Sequence, residues 1–193
     1  NIKICFLKKL NIGDLALLKI KHNKIFYWYS VKIMEENNNK TIEPENDKKI
    51  INTLGLMKKR GPDHQSWRSF TANDTNIYLL HSRLSIIDLD ERSNQPFSYS
   101  GCTLIFNGEI YNFREIKADL EEKGHTFKTT SDTEVLVHLY EDKGLEMFDE
   151  LNGIFAFAIL DKKRNRVVLA RDHFGVKPLF YYECGGKLVF GSE

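Results

Sequence analysis

Apolar residues recur at helical spacing across Asp47–Lys59, where Ile50, Ile51, Leu54 and Met57 predict one face of a helix. Arg60-Gly61-Pro62-Asp63 must end it, because glycine and proline break helices and favour turns. Strand-like runs follow at Asn76–His81, Leu84–Ile87 and Cys102–Phe106. Asn107-Gly108, directly after the last of these, predicts a turn. A second helix is expected over Phe113–Lys123, closed by Gly124. Ser131, with Glu134 three residues on, is a capping-box signature. It opens a third helix that runs to Lys143 and stops at Gly144, with Val135, Leu136, Leu139 and Tyr140 as its apolar face. The pattern then changes to strands at Ile154–Leu160, Arg166–Ala170, Leu179–Glu183 and Lys187–Phe190. Asp161–Asn165 and Gly185-Gly186 supply the turns between them. Strands dominate without regular βαβ alternation, which favours an antiparallel α+β layered fold over a doubly wound parallel sheet.

Composition narrows the class. The 193 residues suit one domain, and 41% hydrophobic with 28% charged residues allows a sizeable core. Lys+Arg is 28 against Asp+Glu 27, so there is no basic excess of the kind a nucleic-acid binder shows. No apolar run has the length of a membrane span, and the N-terminal apolar stretches are short and broken by lysines, unlike a signal peptide. The three cysteines, Cys5, Cys102 and Cys184, are scattered without a CxxC pair. That pattern implies a reducing compartment, with neither a disulfide framework nor a zinc site. One seam is visible: all eight arginines fall at or after Arg60, while residues 1–46 are dense in Asn, Lys and Ile.

Generic catalytic motifs are absent: no GxGxxG, no P-loop and no HExxH. No metal is expected, because the histidines lack ligand spacing. His81, at a strand end, reads as structural; Asp132 and Glu134, taken by periodicity alone, read as helix-capping residues. The order of specific strings carries more. They are Arg60-Gly61-Pro62-Asp63, His81-Ser82-Arg83-Leu84-Ser85-Ile86-Ile87-Asp88, Gln95-Pro96 and Asn107-Gly108-Glu109-Ile110-Tyr111-Asn112. Then come Ser131-Asp132-Thr133-Glu134, Leu151-Asn152-Gly153-Ile154-Phe155-Ala156-Phe157-Ala158, Arg171-Asp172-His173-Phe174-Gly175-Val176-Lys177-Pro178-Leu179 and Phe190-Gly191-Ser192-Glu193. In this order they closely resemble the glutaminase domain of glutamine-dependent asparagine synthetases, a class II glutamine amidotransferase. The resemblance covers residues 40–193.

The resemblance implies an N-terminal-nucleophile hydrolase fold, a four-layer α-β-β-α sandwich of two antiparallel sheets. It also implies hydrolysis of L-glutamine to glutamate and ammonia. The family's nucleophile is an N-terminal cysteine, whose own α-amine titrates near ~7.7–8.0 and can take the thiol proton at neutral pH. The resulting oxyanion needs fixed donors. By the resemblance these are the Asn107 side chain and the Gly108 backbone N–H. Arg83 matches the partner of the glutamine α-carboxylate, since a guanidinium fork fits a carboxylate bidentately. Asp132 and Glu109 match the acceptors of the α-ammonium, and Leu84, Ser85, Ile86 and Ile87 line the same pocket. Arg60–Asp63 and Arg171–Pro178 are expected to be architectural turns.

Two departures from the family pattern stand out. Counting back from Arg60 by the family's spacing lands near Tyr29–Lys32, which holds no cysteine, and Cys5 is a poor substitute. Residues 1–39 are therefore expected to be an atypical N-terminal extension or a mis-read start, and the chain to hydrolyse glutamine poorly. The family also continues past Phe190-Gly191-Ser192-Glu193 into a synthetase domain that uses ATP and Mg²⁺ to convert aspartate to asparagine. This domain itself is expected to need no cofactor, and its partner to be that C-terminal domain of the same polypeptide, in the cytoplasm; a homodimer stays open. A non-catalytic glutamine-binding or docking relic, and an amidotransferase with another ammonia acceptor, are the competing readings.

Overall fold

Gly153–Asp161 is apolar at nearly every position because both faces of its strand are covered. In the computed structural model, which describes residues 15–19, 27–32, 44–72, 75–184 and 187–192, this segment is β7, near the middle of a six-stranded antiparallel sheet. The sheet runs in the order β1 (Leu15–Lys19), β2 (Tyr27–Lys32), β8 (Arg166–Arg171), β7, β6 (Cys102–Ile110), β5 (Phe97–Tyr99). Successive strand residues face opposite sides. Phe155, Phe157 and Ile159 of β7, with Val168 and Ala170 of β8, join one hydrophobic cluster; Ala158, Leu160, Val167 and Leu169 join another.

The first cluster is closed by two helices. α2 (Phe113–Glu122) contributes Ile116 and Leu120. α3 (Asp132–Lys143) contributes Val135, Leu136, Val137, Leu139 and Tyr140, and residues 131–140 are all buried. A 3-10 helix at Gly144–Asp149 adds Met147 and Phe148. The second cluster is closed by two β-ribbons. β3 (His64–Ala72) pairs with β4 (Thr75–Arg83), which supplies Ile77 and Leu79; β9 (Phe180–Cys184) pairs with β10 (Lys187–Gly191), which supplies Leu188 and Phe190. α1 (Pro44–Met57) covers β4, burying Ile50 and Leu54 while Ile51 stays exposed. The layers are thus helices, main sheet, ribbons, helix: the α-β-β-α order expected, with the second sheet divided into two ribbons among the described residues.

The structure corrects several sequence expectations. Leu84–Ile87 is an irregular loop, because side chains take its backbone groups: Ser85 N–H goes to Asp63 Oδ2 at 2.7 Å and Ile87 O accepts from Arg83. Asn107-Gly108 is no turn; both lie inside β6, opposite Ala156 and Phe155. The ladder allows this because Gly108 has φ +152°, and a Cβ there would sit 2.1 Å from Ile154 O. β3 and β5 had no clear alternation to reveal them. Residues 15–19 and 27–32 form β1 and β2, which join the main sheet through β8. The capping box is half made: Ser131 Oγ accepts Glu134 N–H at 3.4 Å, but the Glu134 carboxylate turns to the N–H groups of Lys128 and Thr129. Arg171–Pro178 is an architectural turn, as expected. Buried Asp172 accepts the N–H groups of Phe155, Phe174, Val176 and Lys177, which outweigh burial and hold its carboxyl below the ordinary range.

Candidate functional site

β5 pairs with β6 only from Cys102 to Leu104. Alternate residues of an antiparallel strand bond to opposite neighbours, so Phe106, Gly108 and Ile110 point their N–H groups to the edge β5 leaves open. Phe155 N–H and C=O, opposite Gly108, are both turned to Asp172, which fits that register. Side chains cap the two outer groups. Gln95 Oε1 accepts Phe106 N–H at 2.6 Å, and Asp132 Oδ2 accepts Ile110 N–H at 3.1 Å. The Gly108 N–H faces the gap between these two acceptors. The Asn107 side chain, half-buried, donates through Nδ2 to Ser192 Oγ at 2.9 Å.

Asp132 is the first residue of α3 and is buried. Burial pushes its carboxyl up to about 6, against the N–H bonds it accepts, and Glu109 adds repulsion. Glu109 itself is exposed on β6. A carboxylate held this way in a protein interior gains most when a cation arrives beside it.

Arg83 ends β4 and is buried. Its Nη1 donates to Asp90 O at 3.1 Å and Asn94 Oδ1 at 2.8 Å; its Nη2 donates to Ile87 O at 3.2 Å and to Asp88 O. In this arrangement the guanidinium organises its own loop, and a carboxylate would compete with those carbonyls. Asp88, at φ +51°, ties the loop onward: its Oδ2 accepts Thr130 N–H at 2.7 Å, just before α3. Burial opposes ionisation of Asp88, but the N–H groups of Thr130 and Asp90 prevail and hold its carboxyl at about 2. Leu84 and Ile86 point outward and are exposed, while Ser85 and Ile87 are half-buried.

The predicted residues therefore fall into two groups joined by hydrogen bonds. Asn107, Gly108, Glu109 and Asp132 sit on the β6 edge and the start of α3. Arg83 and Leu84–Ile87 form the adjoining loop, linked through Asp88 to Thr130 and through Asn94-Gln95 to Phe106. Sequence reasoning gave no site role to Asp63, Asp88, Gln95 or Ser192, although all four lie in the matched strings. His81, read as structural, sets Nε2 3.2 Å from Phe106 O, and burial pushes its pKa down to about 4, so it is neutral. Cys5 lies outside the described residues. Cys102 is buried, and burial pushes its thiol up to about 11, the unreactive form at neutral pH. Among the described residues no group of three or more His, Cys, Asp or Glu side chains is placed to hold a metal ion, and no helix is long and apolar enough to cross a membrane.

Residues 34–193 match the sequence model of the glutamine amidotransferase domain, and the chain belongs to that family. Its relatives refine the class to the class II domain of glutamine-hydrolysing asparagine synthetases. Asparagine synthetase 2 of Bacillus subtilis is 47% identical over 136 residues, which is 69% of this chain and 17% of that protein. Asparagine synthetase B of Escherichia coli is 38% identical over 156 residues, 80% of this chain and 27% of that protein. The chain thus spans well under a third of the length of these two relatives. Among solved structures, the glutamine phosphoribosylpyrophosphate amidotransferase of B. subtilis, complexed with ADP and GMP, matches at TM-score 0.52 and 29% identity, over 60% of this chain and 27% of that one. The fold is accordingly the antiparallel α+β sandwich of N-terminal-nucleophile amidotransferases.

Proposed function

We propose that the chain is the glutamine-hydrolysing part of an asparagine synthetase-like protein. It binds L-glutamine at the β6 edge and passes ammonia to an ATP- and Mg²⁺-dependent synthetase domain of the same polypeptide, which converts aspartate to asparagine in the cytoplasm. The observation that supports this best is the row of three N–H groups on β6. The outer two are occupied by Gln95 and Asp132, and the middle one, from Gly108, faces the gap. A developing oxyanion in that gap would take the Gly108 N–H and the second hydrogen of Asn107 Nδ2. Losing one such donor typically costs about 10²–10³ in rate. Asp132, aided by Glu109, takes the α-ammonium, and ionisation of Asp132 is completed by that charge. Arg83 takes the α-carboxylate by exchanging carbonyl acceptors of its own loop for a bidentate carboxylate, a stronger charge-assisted pair. The domain's own chemistry requires no cofactor.

The nucleophile of this reading is a cysteine with a free α-amine. Tyr29–Lys32, where the family spacing puts it, has none, and this favours a second reading in which the domain binds glutamine without turning it over. Calorimetric titration with L-glutamine, D-glutamine and L-glutamate, beside a glutaminase assay of the wild type and Cys5→Ala, separates the readings. Binding of L-glutamine alone, lost in Asp132→Asn, supports the site. Turnover above the Cys5→Ala control supports catalysis by this chain, while binding without turnover supports the second reading. Absence of L-glutamine binding overturns both.

A further inference from the structure

Gln95 does the work of a strand that is not there. β5 stops pairing at Leu104, and two residues before β5 the Gln95 side chain occupies the next place on the open edge of β6. Its Oε1 meets Phe106 N–H as a strand carbonyl would, at 2.6 Å. Its Nε2 reaches Thr133 Oγ1 at 3.3 Å, the residue beside Asp132 in the first turn of α3. Its backbone carbonyl accepts from Ser66 Oγ on β3, and its neighbour Asn94 accepts from Arg83. His81 Nε2 lies 3.2 Å from the carbonyl of the same residue, Phe106 O. Gln95 is only 6% exposed. Burying an amide is costly, and a residue chosen for packing alone would be apolar.

We propose that Gln95 is a positioning residue of the glutamine site: one planar amide, bonded to β6 at one end and to α3 at the other, sets the spacing between the Gly108 N–H and the Asp132 carboxylate. The ligand in this statement rests on the glutaminase reading; the clamp itself does not. Leucine at this place keeps the volume but strands the Phe106 N–H. Glutamate keeps an acceptor for it. Valine at Thr133 removes the far anchor alone.

The test uses wild type, Gln95→Leu, Gln95→Glu and Thr133→Val, with native-state amide exchange by NMR and L-glutamine affinity by calorimetry. Gln95→Leu is expected to speed exchange at Phe106 and to weaken glutamine binding, each about tenfold or more, the size of one buried donor left unpaired. Gln95→Glu should hold Phe106 exchange within about threefold of wild type, which a purely structural loss would not predict. Thr133→Val should leave Phe106 protected yet weaken binding. Unchanged Phe106 exchange in Gln95→Leu, or Gln95→Glu behaving like Gln95→Leu, overturns the proposal. If Gln95→Leu does not fold, Thr133→Val decides, and unchanged glutamine affinity in that variant overturns the proposal. If wild type does not bind glutamine, the glutaminase reading falls and Phe106 exchange alone judges the clamp.

Discussion

Asn107 Nδ2 donates to Ser192 Oγ at 2.9 Å, across 85 positions of sequence. A side-chain amide carries two hydrogens on one planar nitrogen. Anchoring one of them fixes the direction of the other, and so the last described residue of the chain orients a donor in the middle of β6. Removing the hydroxyl by Ser192→Ala should free the amide. Its hydrogens are expected to exchange roughly fivefold faster, the equivalent of about 1 kcal/mol for one lost hydrogen bond. Side-chain amide resonances of Asn107 report this directly, and unchanged exchange would show that Ser192 does not hold it.

Gly108 has no room for a side chain. A Cβ would lie 2.1 Å from Ile154 O and 2.7 Å from Phe155 Cα, with φ at +152°. Gly124 offers a control, since its φ is +93° but nothing stands within 4 Å of a built Cβ. Gly108→Ala should therefore cost about 2 kcal/mol more than Gly124→Ala, the part due to overpacking rather than backbone strain. Urea unfolding of the two variants gives the comparison; equal losses would contradict the close approach of β7 to β6.

Asp132 makes stability depend on pH. Burial raises its folded pKa to about 6 from 3.8, so the folded state holds the proton more tightly than the unfolded chain. Stability from this group is then present at low pH and falls as pH rises from about 4 to 6, by up to ~3 kcal/mol. Asp132→Asn keeps an acceptor for Ile110 N–H and removes the charge. The variant should match wild type near pH 3.5 and exceed it by about 1–3 kcal/mol at pH 8, while losing glutamine affinity. Denaturation midpoints across that range would show a constant difference if the carboxyl were not perturbed.

His138 acts in the opposite sense. It is wholly buried on α3, between the rings of Tyr99 at 3.7 Å and Phe127 at 4.3 Å, with its Nδ1 3.0 Å from that of His125. Burial lowers its pKa to about 4 from 6.5, although Glu134 pulls the other way. The unfolded chain takes up the proton first, so this contribution is present above pH 6.5 and is lost as pH falls toward 4, by up to ~3 kcal/mol. His138→Phe preserves the stack and should flatten the acid side of the stability profile by about 2–3 kcal/mol over that window. Because Asp132 opposes it in the wild type, the difference between variant and wild type is the quantity to follow; parallel profiles would sink the assignment.

Much of the architecture was legible in local pattern. The Val135–Tyr140 stripe and the Ser131 cap marked α3, and the apolar run Ile154–Leu160 marked a strand. Three features escaped because their polar groups find partners that local periodicity does not show. Leu84–Ile87 looked like a strand, but Arg83 and Asp63 take its polar groups. Asn107-Gly108 looked like a turn, but β7 runs alongside it. Gln95, assigned to no element by the sequence pattern, closes a sheet edge.

Local spacing pointed to an antiparallel α+β fold, because periodicity and capping are properties of neighbours along the chain, and the ordered strings carried the family resemblance that named the candidate site residues. Tertiary structure decided how those residues are used. The open edge of β6 exists only because β5 is short, and the raised pKa of Asp132 exists only because α3 carries it into the interior. Arg83 serves its own loop only because that loop folds back around it. These are consequences of desolvation and of side-chain hydrogen bonds to the backbone, near in sequence for Arg83 and distant for Asp132, which periodicity does not encode.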